Sequence, residues 1–359
     1  MSTDFRLAVV DPAGSPDYHR MEAVNPRGTL ADGAYHSPVE LCAFAACTGG
    51  TFHGCQSRRD LLTARSCWDV PSDTSAVLLL VDKMRRCRQL IDRYHQAGKT
   101  VVITFTEAGT MQIARMLETP ARLRGFFGVC ERADGAIAVT PEGLPVLRSS
   151  GARHVELIPT PCPVDIPDWD FSVPADQRHG ILLGTTYFHA NERNHMAALV
   201  SIGRLAESIG EQVTVVIDMS DSYDRSMRGE LESWWRSDTL HVVEGPLTFF
   251  RFLRLLARHK IVFQLDQAAG CGQIGGLAVL SRIPCVGGNG GHERVVFPHL
   301  CGFSRTIGEL SDIAEQLLMY PDKAEAAVAT ALKLANERVA FGVARSRLET
   351  YFAKVGGQR

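Results

Sequence analysis

Between Ile261 and Glu293 the chain reads IVFQLDQAAGCGQIGGLAVLSRIPCVGGNGGHE, and this stretch holds most of the residues that could do chemistry. Gly270, Gly272, Gly275 and Gly276 follow a short apolar run and precede another, Leu277 to Leu280, that reads as helix. Glycines there let backbone N–H groups approach a phosphate, and the following helix N-terminus favours its charge. A second cluster, Gly287, Gly288, Gly290 and Gly291, ends the next apolar run. Asp266 closes the first run, where it either binds a sugar or ribose hydroxyl or caps a helix. Arg193 opens a helical stretch after a loop. A cation at a helix N-terminus is opposed by the dipole, so a bound anion would explain it, held bidentately. Glu107, after Val101-Val-Ile-Thr-Phe105, and Asp11, after the first apolar run, are carboxylates able to orient or deprotonate a hydroxyl.

These residues need a sheet edge to stand on. Arg6–Val10, Val77–Asp82, Thr100–Phe105, Ala136–Val139 and Val155–Ile158 read as strands in the first half. Helices are expected at 38–46, 83–96, 113–117 and 141–149, with 15–73 otherwise irregular. Pro159, Pro161, Pro163, Pro167 and Pro174 mark a linker, since prolines at that density fit neither helix nor central strand. A second series begins at Ile181. Its strands are 181–184, 213–217, 240–243, 261–265 and 283–286; its helices are 195–208, 225–235 and 247–257, and 343–354 closes the chain. Strands alternating with helices predict α/β architecture, a doubly wound parallel sheet in each of two domains. The expected division is 1–172, 173–340 and a terminal helix in 341–359 that packs back on the first domain. His195 reads as a helix-surface residue, and Trp234-Trp235 as core or domain packing.

The 359 residues carry a formal net charge of −2, which argues against a general polyanion binder and mildly against nucleic acid. Local basic patches such as Lys83–Arg88 remain. Ten cysteines are scattered with no Cys-x-x-Cys pair, no window approaches a membrane span, and the N-terminus lacks an apolar signal core. The expectation is a cytoplasmic protein with reduced thiols. Cys42, Cys47, His53 and Cys55 contain zinc-ligand types at loose spacing; buried free cysteines are the expected reading, with no metal.

Residues 130 to 359 resemble the GT-B glycosyltransferases, specifically glycosyltransferase family 4. Four patterns carry the resemblance: Ala133–Thr140 with VELIPTPCPVD at 155–165, ILLGTTYFHANERNH at 181–195, GPLTFFRFLRLLARHKIVFQLD at 245–266, and AGCGQIGGLAVLSRIPCVGG at 269–288. The resemblance implies two Rossmann-like domains facing across a cleft, with a nucleotide-sugar (NDP-sugar) as donor substrate and no cofactor. Its paired glutamates fall on Ala269 and Leu277 and are absent. Its diphosphate-binding arginine falls on Thr185 and its lysine on Arg193, with His189 a further cation if protonated. Gln267 and Gln273 are then candidates for the ribose contact, and Glu293 is the carboxylate the family pattern leaves nearest the donor. The implied activity is metal-independent hexosyl transfer, with anomeric retention following from the resemblance alone. Three alternatives stay open: a non-catalytic binding or regulatory subunit, a sugar-nucleotide epimerase, and a transferase acting on a DNA base. Donor sugar, nucleobase, acceptor and homo-oligomerisation are not legible.

Overall fold

A computed structural model describes residues 5–12, 40–54, 69–106, 109–166, 173–184, 193–235, 238–245, 247, 249–268 and 270–357. The chain divides into two compact units: unit 1 comprises 1–163, 269–271 and 338–359, and unit 2 comprises 164–268 and 272–337.

Unit 1 is built from β1 (Leu7–Val10), α1 (Cys42–Thr48), β2 (Thr51–His53), β3 (Ala76–Val81), α2 (Met84–Gln96), β4 (Thr100–Phe105), α3 (Thr110–Met116), α4 (Pro120–Cys130), β5 (Gly135–Ala138), α5 (Gly143–Ser149) and β6 (Val155–Leu157), completed by the last helix, α13 (Phe341–Gly356). Its strands pair in the order β2-β1-β3-β4-β5-β6, all parallel. β3 is Ala-Val-Leu-Leu-Leu-Val, buried at every position, as expected of a central parallel strand covered on both faces. One face carries Met84, Cys87, Leu90, Ile91 and Tyr94 of α2, whose spacing of three and four residues forms a single apolar stripe, with Phe126, Val129 and Cys130 of α4. The other face carries Phe44 of α1 and Leu348, Tyr351, Phe352 and Val355 of α13. The Tyr351 hydroxyl reaches the carbonyls of Ala136 (3.0 Å) and His154 (2.5 Å). A β-carbon at Gly135 would lie 2.4 Å from that hydroxyl, so the tyrosine fits only against glycine.

Unit 2 runs β7 (Ile181–Leu183), α6 (His195–Ile209), β8 (Val213–Asp218), α7 (Ser222–Trp234), β9 (Leu240–Gly245), α8 (Phe249–Ala257), β10 (Ile261–Gln264), α9 (Gln273–Leu280), β11 (Cys285–Gly287), α10 (Gly291–Val296), α11 (Ile307–Met319) and α12 (Pro321–Arg338). Its strand order is β11-β10-β7-β8-β9, again all parallel. Two parallel sheets with flanking helices are thus present, as the alternation of elements implied.

Several elements differ from expectation. The helix read at 38–46 is described as Cys42–Thr48, and strand β2 follows within a stretch read as irregular. α4, α11 and α12 lie where no element was read. His195 is not on a helix surface but buried, with its ring Cε1 3.0 Å from where a Gly184 β-carbon would stand. The tryptophan pair splits: Trp235 is driven under Gly203 of α6 and donates from Nε1 to Thr239 at 2.9 Å, whereas Trp234 is 66% exposed. Consecutive residues at a helix end point apart by about 100°, so the two rings cannot share one environment.

Candidate functional site

In unit 2 the chain winds outward from β7 through β8 to β9, then returns so that β10 lies on β7's other side. Connections leave β7 and β10 in opposite directions, and a crevice opens beyond their carboxyl ends. Arg193 ends the connection from β7, and Asp266 stands two residues past β10. Their side chains form an ion pair, Arg193 Nη1 to Asp266 Oδ2, with the arginine 36% and the aspartate 11% exposed. Asp266 Oδ1 accepts from the Ala268 N–H (2.8 Å), so this carboxylate fastens a turn and a guanidinium rather than capping a helix. Asn194, left-handed at φ 52°, donates from its side chain to the Leu265 carbonyl (3.0 Å). The β7 connection is therefore stitched twice to the end of β10.

The glycine cluster is shaped around a carboxyl group. Glu293, the third residue of α10, is 1% exposed. Its Oε1 accepts from the Gly275 N–H (2.9 Å), in the first turn of α9, and from Gln264 Nε2 (3.0 Å) at the end of β10. Its Oε2 has no hydrogen-bond partner among the described residues. A β-carbon at Gly272 would stand 2.0 Å from Oε2, and one at Gly290 2.5 Å from it. Gly272 also has φ +78°, which an L side chain rarely adopts. Burial first, and the Asp266 charge in addition, push the Glu293 carboxyl above the usual carboxylate range, against the lowering effect of its hydrogen bonds. The anion seat at the α9 N-terminus thus holds the protein's own carboxyl group.

The other glycines behave differently. The Gly276 N–H lies 3.3 Å from the Gly272 carbonyl, an ordinary helical bond. Gly270 has nothing within 4 Å of a would-be β-carbon, and Gln273 is partly exposed as the first residue of α9. Gln267 is exposed, and its carbonyl accepts from Asn289 at 3.4 Å. Arg294, one residue beyond Glu293, donates to Asn289 Oδ1 (2.9 and 2.7 Å) and lies 4.2 Å over the Phe303 ring. Thr185, His189 and Glu107 lie outside the described residues.

Gln264 was not singled out from the sequence. The signal was there: one amide inside the apolar run Ile261-Val-Phe-Gln-Leu265 is a buried polar group that needs partners. It finds them in Glu293 and in the Cys285 thiol (3.4 Å).

Unit 1 has its own reversal, between β1 and β3. Asp11 stands past β1, fully buried, its N–H bonded to the His53 carbonyl (2.8 Å). A group so enclosed cannot meet a substrate hydroxyl without movement of its cover. Arg86 donates to the Pro12 carbonyl (2.7 Å). The Cys42 and Cys87 thiols are pushed up, mainly by burial with Asp11 adding to it, Cys87 to about 12, so neither is a thiolate. His53 Nε2 pairs with Thr51 Oγ1 (2.6 Å), and Cys55 lies outside the described residues. Among the described residues no three His, Cys, Asp or Glu side chains are grouped as metal ligands, and no helix is long and apolar enough to cross a membrane.

No protein-family model matches the chain, and no curated protein matches its sequence. Solved structures do match its fold. The Anabaena protein HepE, in complex with UDP and glucose, superposes with a TM-score of 0.64 at 11% identity, covering 98% of this chain and 100% of HepE. A UDP-forming α,α-trehalose-phosphate synthase from Burkholderia vietnamiensis gives 0.65 at 12% identity, covering 99% and 98%. The fold is that of the GT-B glycosyltransferases along the whole chain.

Proposed function

We propose that the protein is a glycosyltransferase that takes its sugar from a nucleoside-diphosphate donor. The observation that carries this is Arg193, a guanidinium fastened by Asp266 at the mouth of the crevice between β7 and β10, where open α/β sheets take ligands. The GT-B structures that match the full chain support it, HepE having been solved with UDP and with UDP-glucose. In this reading Arg193 meets the diphosphate, and the partly exposed first residue of α9, Gln273, lies on the same unit. Departure of the diphosphate needs charge neutralisation as the sugar–phosphate bond breaks, and the guanidinium supplies it without a metal. Thr185 and His189 belong to the same connection. Gln267 and Gln273 are the candidate ribose contacts. Glu293, being buried and hydrogen-bonded to Gly275, shapes the loop rather than touching the sugar. Asp11 and Glu107 remain the acceptor-side candidates.

One observation favours a second reading, a binding or regulatory subunit without catalysis. Arg193 is already paired with Asp266, and the α9 N-terminus already holds a carboxyl, so the crevice has less free positive potential than its shape implies. Calorimetric titration with UDP, other nucleoside diphosphates and their sugars separates the two. Donor binding with diphosphate release once an acceptor panel is added is the expected result. Binding without turnover selects the second reading, and no binding at millimolar ligand defeats both. Conversion of the sugar nucleotide with no acceptor present would instead indicate an epimerase.

A further inference from the structure

The first N–H groups of a helix have no partner within it, and an anion is the partner its dipole favours. In α9 the N–H of Gly275 is taken by Glu293 Oε1 (2.9 Å), which reaches across from α10. Gln264 Nε2 donates to the same oxygen (3.0 Å), so the carboxyl group is held by that one atom. Its Oε2 has no hydrogen-bond partner among the described residues and is aimed at Gly272, just before the helix, where a β-carbon would stand 2.0 Å from it. Few charges surround this group. Asp266, past the end of β10, is near enough to act on it and is itself paired with Arg193. β11 offers the Cys285 thiol, pushed up by burial first and by Glu293 in addition, and so uncharged. On α10 itself, His292 donates from Nδ1 to the Gly272 carbonyl (3.2 Å), and Arg294 is turned to Asn289 (2.9 and 2.7 Å). Residues 273–280 of α9 include no titratable side chain.

We propose that Glu293 is a built-in competitor for anions at the α9 N-terminus, silent when protonated and inhibitory when ionised. Neutral, it occupies one N–H and leaves the positive potential of the helix end to a ligand. Ionised, it sets a full negative charge on that potential and repels an anion brought to the crevice, with Asp266 adding to the repulsion. Burial raises the Glu293 carboxyl above the usual carboxylate range, so the neutral form persists beyond the pH at which an exposed glutamate has lost its proton. Anion affinity is then greatest in acid and falls as pH rises through the Glu293 titration. By linkage a bound anion favours the protonated form, and binding takes up a proton. The choice of a nucleoside diphosphate as the anion rests on the glycosyltransferase reading above; the competition itself does not.

The test is calorimetric titration of the full chain and of Glu293→Gln with sodium sulfate and with UDP, between pH 5 and pH 9. Sulfate keeps its double charge over that range and needs no nucleoside contact, and the titration of UDP itself cancels between the two proteins. Glutamine keeps an acceptor for Gly275 and cannot ionise. Equal affinities at pH 5 and a roughly tenfold advantage of the variant at pH 9 are expected, the scale of one unit charge about 10 Å away at an effective dielectric of about 20. The wild type alone gives a second measurement: over the pH range where its sulfate affinity falls, heats in buffers of different ionisation enthalpy should show proton uptake. Sulfate profiles that run parallel in the two proteins overturn the proposal, as does binding without proton uptake or no sulfate binding by either protein. The expected sulfate result with no binding of UDP upholds the competition and removes the donor reading. UDP binding beside parallel sulfate profiles does the reverse.

Discussion

The two sheets of this chain reverse direction in the same way and fill the resulting crevices differently. Past β1 in unit 1 the reversal holds Asp11, fully buried, with two protonated thiols near it. Past β7 and β10 in unit 2 it holds a half-open guanidinium paired with a carboxylate, and behind them a second, enclosed carboxyl group. The lesson is that topology makes the crevice and side-chain exposure decides whether it can serve. An acid at 0% exposure is part of the core until something moves, whereas Arg193 already meets solvent. For the proposed activity, donor chemistry belongs to the unit 2 crevice.

The comparison can be broken most severely at Gly272. An alanine there would place its β-carbon on the Glu293 carboxyl in a left-handed conformation, and about 3 kcal/mol or more of unit 2 stability should be lost. Denaturant unfolding followed by tryptophan fluorescence in a Trp68→Phe background reports unit 2 selectively, because the other three tryptophans, Trp169, Trp234 and Trp235, belong to it; an unchanged midpoint would mean that the glycines are not shaped by Glu293.

Acid should separate the units nearly as strongly. His259 of unit 2 is held at about 4 by burial, its Nδ1–H donated to the Leu255 carbonyl (2.7 Å) and its Nε2 accepting from Thr214 (2.8 Å). The unfolded chain takes up this proton near 6.5, so stability is lost as pH falls from 6.5 towards 4, by about 3 kcal/mol over the whole interval. His259→Gln should remove that slope, and urea titrations at pH 7 and pH 4.5 would reveal it.

Donor affinity gives the next largest contrast. Arg193→Ala is expected to weaken diphosphate binding by about 1.5–3 kcal/mol, as for a charged hydrogen bond, while Asp11→Asn leaves it unchanged. Equal effects of the two in calorimetry would erase the division of labour drawn above. A change in melting temperature without a change in affinity for Arg193→Ala would mean that the arginine serves only Asp266.

The smallest effect concerns Glu293 itself. Its folded carboxyl holds its proton above the range of the unfolded one, so the unfolded state ionises first as pH rises and wild-type stability declines. Glu293→Gln lacks that decline. The stability difference between the two should move in favour of glutamine from pH 5 to pH 8, and a constant difference would show an ionised carboxylate at both.

Much of the fold was legible in the residues. Buried parallel strands are apolar runs, and Val77–Asp82, Thr100–Phe105 and Ile261–Leu265 announce themselves because both faces are covered. α4 was harder: Pro-Ala-Arg-Leu-Arg-Gly-Phe-Phe-Gly-Val-Cys has two glycines and no clean apolar stripe, although Thr119 before Pro120 is a helix-start pair whose hydroxyl accepts from the Arg122 N–H. Of the candidate site, the sequence announces residue types, Arg193 before a helix and a run of glycines, and not what each of them meets. The sequence reading gives Gly272 and Gly275 the task of making room for a phosphate, and a β-carbon at either would meet the Glu293 side chain, as would one at Gly290. A glycine records that something must come close; the sequence does not say which atom.

Cys162, the last residue but one of unit 1 before the chain departs, donates its N–H to the Val339 carbonyl (2.8 Å) and bridges Ala340 just after the chain returns. Everything unit 2 needs has been synthesised by residue 337, but the sheet that begins at Leu7 still lacks Leu348, Tyr351, Phe352 and Val355 on one face. On a ribosome, unit 1 is therefore begun before unit 2 and completed after it, and loss of residues 340–359 would strand unit 1 rather than unit 2.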